Sequence, residues 1–137
     1  IGNNNVESKL IDSKISGFYG FNYESTLTCS ISRTVMLDTG VTFSYSPATN
    51  NRDLIYMDSA SIFYMNGATI ESTTTGMRLT RGTLIVDGEN KLYNDGAASL
   101  SQAISFGDGL AGNDFNVSIL PGGKLELMSG ILLMNNV

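Results

Sequence analysis

The stretch that decides the fold is LIVDGENKLY, residues 84–93. Two apolar segments flank Asp87 and Gly88, and Asp-Gly is a favoured two-residue turn of a β-hairpin. The same pair also suits a corner at which one strand ends and the next strand begins in another direction. Which interpretation holds depends on whether the pattern repeats along the chain.

A polar residue followed by glycine recurs every 21 residues. The four pairs are Asn66 and Gly67, Asp87 and Gly88, Asp108 and Gly109, and Ser129 and Gly130. A series of hairpins has no reason to keep a constant period, whereas stacked coils of chain do. These eight residues are therefore predicted to form a structural ladder of corners. Each glycine is expected to adopt positive φ, a conformation that Asn and Asp tolerate next best.

Apolar residues upstream of each glycine form two predicted core columns with the same step. The first column is Phe43, Tyr64, Ile85, Phe106 and Leu127, and the second is Val41, Ile62, Ile104 and Leu125, with Thr83 as its polar member. The columns lie two residues apart, which places both on one face of a strand. In residues 83–86 the opposite face, Leu84 and Val86, is equally apolar, so the inward face of this strand stays open.

Each repeat carries about three short apolar segments separated by polar, turn-rich segments, with no helical period. This pattern predicts an all-β chain, a single-stranded parallel β-helix (β-solenoid) with about 21 residues per coil and three short strands per coil. Residues 20–137 are predicted to form about six coils. Residues 1–19 are predicted to form an incomplete N-terminal coil or cap.

Three segments share the motif small-apolar-x-apolar-x-x-Gly. They are SASIFYMNGATIE (59–71), RGTLIVDGENKLY (81–93) and GGKLELMSGILLM (122–134). These segments resemble coils of bacterial autotransporter passenger domains and related secreted β-helical surface proteins, and the resemblance covers residues 20–137. It implies a right-handed coil, export, and an extracellular or cell-surface location. The motif is specific for architecture and says little about biological role.

Composition narrows the classes of partner and chemistry. The net charge is −5 and only 15% of residues are charged, so nucleic acid is not a predicted partner. No stretch is apolar for long enough to predict a membrane span. The absence of histidine and the single cysteine, Cys29, exclude His-dependent triads, thiolate metal clusters and an internal disulfide. We therefore predict no cofactor, no metal site and no catalysis.

Carboxylates acting with Arg or Lys are the catalytic chemistry that remains, as in β-helix enzymes that act on acidic polysaccharides. The candidate residues are Asp87, Asp108, Glu71, Glu89, Glu126, Arg78, Arg81 and Lys91. We interpret the two aspartates as corner residues and the others as solvated charges. Four tyrosines are candidates for stacking sugars, namely Tyr19, Tyr23, Tyr45 and Tyr56. The alternative function is thus a carbohydrate-binding or polysaccharide-cleaving β-helix, or a phage tail-fibre segment, with a surface glycan or host receptor as partner.

The last segment, ILLMNNV (131–137), stops partway through a predicted coil without a polar cap. Solenoids need capped ends, because bare strand edges invite pairing with another chain. The predicted function is therefore a non-enzymatic structural or adhesive solenoid that self-associates. Head-to-tail filaments and continuation of a longer solenoid stay open as alternatives.

Overall fold

The computed structural model describes residues 8–15, 20–23, 29–45, 55–57, 61–72, 77–79, 81–94, 104–107, 109–128 and 132–135. Most of the described residues are in strands, and the described part of the chain contains no helix. The all-β prediction is therefore confirmed at this level. Within the same ranges, no helix is long and apolar enough to cross a membrane.

The described residues form strands β1 to β14. In chain order these are β1 (Ser8–Ile15), β2 (Gly20–Tyr23), β3 (Cys29–Leu37), β4 (Thr42–Tyr45), β5 (Ile55–Met57), β6 (Ile62–Asn66), β7 (Thr69–Ser72), β8 (Met77–Leu79), β9 (Gly82–Asp87), β10 (Glu89–Asn94), β11 (Ile104–Phe106), β12 (Phe115–Ile119), β13 (Lys124–Met128) and β14 (Leu132–Met134). Strand β1 lies within the segment 1–19 and pairs with β3.

The strands form two sheets, and each recorded pairing is parallel. The nine-stranded sheet has the order β12-β9-β6-β3-β5-β8-β11-β14 with β1 beside β3, and the five-stranded sheet has the order β13-β10-β7-β4-β2. Strand β3 pairs with β5 through residues 29–31 and with β6 through residues 34–37. The nine-stranded sheet is therefore two runs of strands that meet at β3.

Three rows of stacked strands result from this pairing. The first row contains β5, β8, β11 and β14, the second row contains β6, β9 and β12, and the third row is the five-stranded sheet. Strands β1 and β3 contribute their first halves to the first row and their second halves to the second row. From β5 onward the chain visits the first, second and third rows in that order, three times in succession.

Alternate side chains of the rows form one apolar core. Its fully buried members are Val35, Leu37, Val41, Phe43, Phe63, Met65, Ala68, Ile70, Leu79, Leu84, Val86, Leu92, Ile104, Phe106 and Phe115. The alternation of buried and half-buried residues along β6 and β9 is the period of two that a strand imposes. The rings of Phe106 and Phe115 lie 5.2 Å apart, which packs the first row against the second.

The predicted core columns need correction in β6 and β9. Ile62, Tyr64 and Ile85 are half-buried, whereas the buried residues of these strands are Phe63, Met65, Leu84 and Val86. The prediction for the first three residues is wrong because both faces of each strand are apolar in sequence. Among the other column members, Val41, Phe43, Ile104 and Phe106 are buried, Leu125 and Thr83 are half-buried and Leu127 is exposed.

The constant step of 21 residues is correct for only part of the stack. Tyr64 pairs with Ile85, as that step requires. Other column members pair outside their column: Phe43 with Ile70, Phe106 with Leu79 and Met134, and Leu127 with Leu92. The step fails because the connections between strands differ in length. The segment 107–114, for example, separates β11 from β12.

Candidate functional site at the Asp87 and Gly88 corner

Residues 84–93 form a corner and not a hairpin. Strand β9 ends at Asp87 and β10 begins at Glu89, and the two strands belong to different sheets. Gly88 turns the chain with φ of +66°, a conformation that costs an L-residue about 1–2 kcal/mol. The chain turns at the neighbouring position after β6 as well, because Asn66 pairs with Asp87 in register and the Gly67 amide donates to the Asp87 carbonyl at 3.1 Å.

The side-chain amide of Asn90 connects this corner to the neighbouring corner at Asn66 and Gly67. Asn90 is buried, with 1% of its surface exposed. Its Oδ1 accepts a hydrogen bond from the Ala68 amide at 2.8 Å. Its Nδ2 donates to the carbonyls of Asp87 at 2.7 Å and Gly88 at 3.1 Å. Both ends of the amide are therefore used: Oδ1 bonds to the neighbouring corner and Nδ2 bonds within the corner of Asn90 itself.

Two carboxylates extend the network on the outer side of the corner. Asp38 Oδ1 accepts from Asn66 Nδ2 at 2.8 Å and from the Thr39 amide at 3.0 Å. Asp87 Oδ2 accepts from the Tyr64 hydroxyl at 2.6 Å. This hydrogen bond, together with desolvation and the negative charge of Asp87, raises the pKa of Tyr64. We refer to Asp38, Tyr64, Asn66, Asp87 and Asn90 as the polar corner.

Asp38 and Asn90 were not predicted from the sequence. Asp38 precedes Thr39 and Gly40, so one inserted residue hides its equivalence to Asn66 before Gly67. Asn90 lies two residues before Leu92 and shares its face of β10. A polar amide on the apolar face of a strand is the signal that identifies it, because buried amides require partners.

The predicted ladder does not extend from this corner to Gly109, which is the one later ladder residue that the structure describes. Gly109 has φ of +76° but lies in the connection between β11 and β12, so its assignment to the ladder is wrong. The corner next to Asp87 and Gly88 is formed instead by residues 120–123, where the Leu120 amide donates to the Val86 carbonyl at 2.9 Å. A Cβ on Gly123 would lie 2.5 Å from that same carbonyl oxygen, so glycine is required there. Asp108, Ser129 and Gly130 lie outside the described residues.

The charged candidates for catalysis are distributed over several parts of the molecule. Glu89 is in register with Lys124, and Lys91 with Glu126, so opposite charges are neighbours on β10 and β13. Lys124 Nζ also lies 3.6 Å from Glu126 Oε2 on the exposed surface. The remaining candidates lie elsewhere: Glu71 on β7, Arg78 on β8 and Arg81 just before β9, with Arg81 Nη1 donating to Asn113 Oδ1 at 3.2 Å. Among the described residues, no group of three or more His, Cys, Asp or Glu side chains is placed to hold a metal ion.

The tyrosines proposed to stack sugars lie on different strands. Tyr23 of β2 is in register with Tyr45 of β4, and Tyr56 of β5 is in register with Ser30 of β3. Tyr19 lies outside the described residues. Of the three tyrosines that the structure describes, Tyr23 and Tyr45 are the pair that lie next to each other along one row.

Comparison with known proteins adds no relative. The chain matches no protein-family model, no curated protein and no solved structure. The resemblance to autotransporter passengers therefore rests on the sequence motifs alone and stays a prediction.

Proposed function

We propose that the chain is a non-enzymatic, structural or adhesive β-solenoid of the extracellular space or cell surface. The observation that carries this proposal is the repeated visit to three rows of parallel strands in a fixed order. Two neighbouring parallel strands need a connection that carries the chain back to the end of the sheet where the first strand began. A coil supplies this connection by passing through the other two rows. A right-handed coil is the hand that such crossover connections adopt.

The polar corner supports a structural role. Asn90 connects to the backbone of the preceding coil, and Asn66 connects to Asp38 of another coil. Asp87 Oδ2 accepts the hydroxyl of Tyr64 from the neighbouring strand β6. These groups hold coils in register, a use in which their polar atoms bind other parts of the same chain.

A polysaccharide screen tests the absence of catalysis. The chain is incubated with a panel of acidic and neutral polysaccharides, and new reducing ends are measured alongside binding on a glycan array. We expect no new reducing ends, and any binding to occur without product. The nearly isosteric variant Asp87→Asn is the matched control. Turnover by the native chain that disappears in Asp87→Asn would contradict the structural role and favour the polysaccharide-active alternative.

A further inference from the structure

The corner after β6 contains an Asn-Gly pair, Asn66 and Gly67, and no other asparagine in the sequence is followed by glycine. In such a pair the backbone nitrogen of the glycine can attack the side-chain carbonyl carbon of the asparagine, because glycine has no Cβ to hinder the approach. Asparagine is accordingly counted among the thermolabile residues of proteins. The pair is therefore a candidate site of spontaneous deamidation.

The reaction needs water as its only co-reactant. The Gly67 nitrogen forms a bond to Asn66 Cγ and gives up its proton, the bond between Cγ and Nδ2 breaks, and ammonia leaves with that proton. The product is a five-membered succinimide ring. Water then opens the ring at either carbonyl. One product is aspartate with the normal backbone, and the other is isoaspartate, in which the backbone runs through Cγ.

In the folded chain the attacking nitrogen is already engaged. The Gly67 amide donates to the Asp87 carbonyl at 3.1 Å, and the Gly67 carbonyl accepts from the Gly40 amide at 3.0 Å. The Asn66 carbonyl, which belongs to the same peptide group as the attacking nitrogen, accepts from Thr39 Oγ1 at 3.3 Å. Neighbouring corners therefore hold this peptide group from both sides.

The group that would leave is also held. Asn66 Nδ2 donates to Asp38 Oδ1 at 2.8 Å, and ammonia cannot leave until this hydrogen bond is broken. A Cβ built on Gly88 would lie 3.5 Å from Asn66 Oδ1, so the other end of the amide lies beside the corner at Asp87 and Gly88. The N–H that must be lost and the Nδ2 that must depart are thus both hydrogen-bonded to other parts of the chain.

We propose that Asn66 is a deamidation site that the folded corner keeps closed and that any opening of the corner exposes. A reaction that proceeds from an opened state follows the population of that state. The hydrogen bonds of Asn66 and Gly67 lower this population, because each of them must be broken before the ring can form. The proposal rests on these contacts and is independent of the structural or adhesive role.

Deamidation also makes the opening permanent. A carboxylate at position 66 cannot donate to Asp38, and it places a second negative charge where the amide nitrogen lies 2.8 Å from Asp38 Oδ1. Isoaspartate adds one backbone atom before Gly67, whose amide must meet the Asp87 carbonyl. Both products therefore weaken the corner that delayed their formation.

Peptide mapping by mass spectrometry, with separation of aspartate and isoaspartate, measures the reaction in the full chain. The chain is incubated at one pH and temperature, folded in buffer and unfolded in guanidinium chloride. We expect Asn66 to deamidate about 10-fold or more slowly in the folded chain. Asn116 is the internal control, because it is exposed and is followed by valine, so it should react slowly in both states. Equal rates at Asn66 in the folded and unfolded chains would overturn the proposal.

Two substitutions at Asp38 test the bond to the leaving group. Asp38→Ala removes the acceptor, whereas Asp38→Asn keeps an oxygen that accepts from Asn66 Nδ2. We expect Asp38→Ala to deamidate about fivefold faster at Asn66 than the native chain, and Asp38→Asn to remain close to the native rate. Far-UV circular dichroism establishes that each variant is folded.

Thr39→Val is the second variant, for use where Asp38→Ala does not fold. It removes the hydroxyl that donates to the Asn66 carbonyl and should likewise raise the rate at Asn66. Equal acceleration in Asp38→Ala and Asp38→Asn would overturn the proposal. A native rate in every folded variant that lacks one of these bonds would overturn it as well.

Discussion

Strands β9 and β10, in the middle of the stack, and strands β12 and β13, at its end, have the same inward pattern and different environments. Val86 and Leu92 are fully buried, whereas their register partners Ile119 and Leu127 are exposed. The residues are of the same class in each pair, so the difference comes from the presence or absence of a strand on the far side. Whether a residue is buried therefore depends on the neighbouring strands as well as on its own side chain.

The corners of the two regions differ as well. The middle corners are Asn66 with Gly67 and Asp87 with Gly88, and Asn90 joins them with hydrogen bonds on both sides. The end corner, residues 120–123, is closed by backbone hydrogen bonds. It also requires glycine at position 123, because a Cβ there would clash with the Val86 carbonyl oxygen. The middle of the stack is therefore held by specific side chains, while the end relies on backbone fit.

The largest effect is expected for Asn90→Asp. A carboxylate can accept from the Ala68 amide, but it cannot donate to the carbonyls of Asp87 and Gly88, which the amide reaches at 2.7 and 3.1 Å. A buried charge facing two carbonyl oxygens should lower the free energy of unfolding by about 3–5 kcal/mol. Denaturant titration at neutral pH measures it.

The control for this change lies at the end of the stack. Asn116 is exposed on β12, so Asn116→Asp should change the free energy of unfolding by no more than about 0.5 kcal/mol. Equal losses in the two variants would show that the amide of Asn90 does not distinguish the middle corner from the end.

Smaller losses in the free energy of unfolding are expected when one leucine in each region is replaced by alanine. Leu92→Ala leaves a cavity at a fully buried position of a strand with neighbours on both sides and should lower the free energy of unfolding by about 3 kcal/mol. Leu127→Ala removes the same atoms from a partly solvated position in the same row, so the expected cost is about 1 kcal/mol. Both are measured by denaturant titration at dilutions where the chain is monomeric. Equal costs would mean that a part of the monomer already covers Leu127.

Part of this organisation was predictable from sequence, and the limits have physical causes. The corner at Asp87 was predictable because a glycine with positive φ between two apolar strands is a local requirement. The inward face of residues 83–86 was not, since Leu84 and Ile85 are both apolar and the choice depends on the neighbouring strand. The step of 21 residues held between β6 and β9 but missed the inserted segment 107–114, because connections can lengthen without disturbing strand register.

The candidate site was predictable only in outline. Asn66 and Asp87 follow from the repeated glycine, whereas the role of Asn90 depends on two carbonyls that the corner itself brings within reach. The link from Tyr64 to Asp87 depends on β6 and β9 lying side by side. Partners that lie on strands far apart in sequence cannot be assigned until the register of those strands is known.

The smallest expected effect concerns the alkaline behaviour of the middle corner, where Tyr64 donates to Asp87. Tyr64 is in register with Ile85 of β9, and Ile85 is in register with Ser118 of β12. Because serine stands at this position at the end of the stack, the tyrosine hydrogen bond has no counterpart there. The hydrogen bond raises the pKa of Tyr64 in the folded chain, so its contribution to stability is fully present below the ordinary tyrosine pKa of about 10. That contribution is lost as the pH rises through the raised pKa. The advantage of the native chain over Tyr64→Phe in free energy of unfolding should therefore shrink as the pH is increased through that range.

The titration of the Tyr64 ring carbon by NMR, assigned with Tyr64→Phe, measures the pKa directly. We expect Asp87→Asn to return it toward the ordinary value, because that variant lacks both the carboxylate acceptor and its charge. An unchanged pKa in Asp87→Asn would show that the hydrogen bond between β6 and β9 does not form in solution.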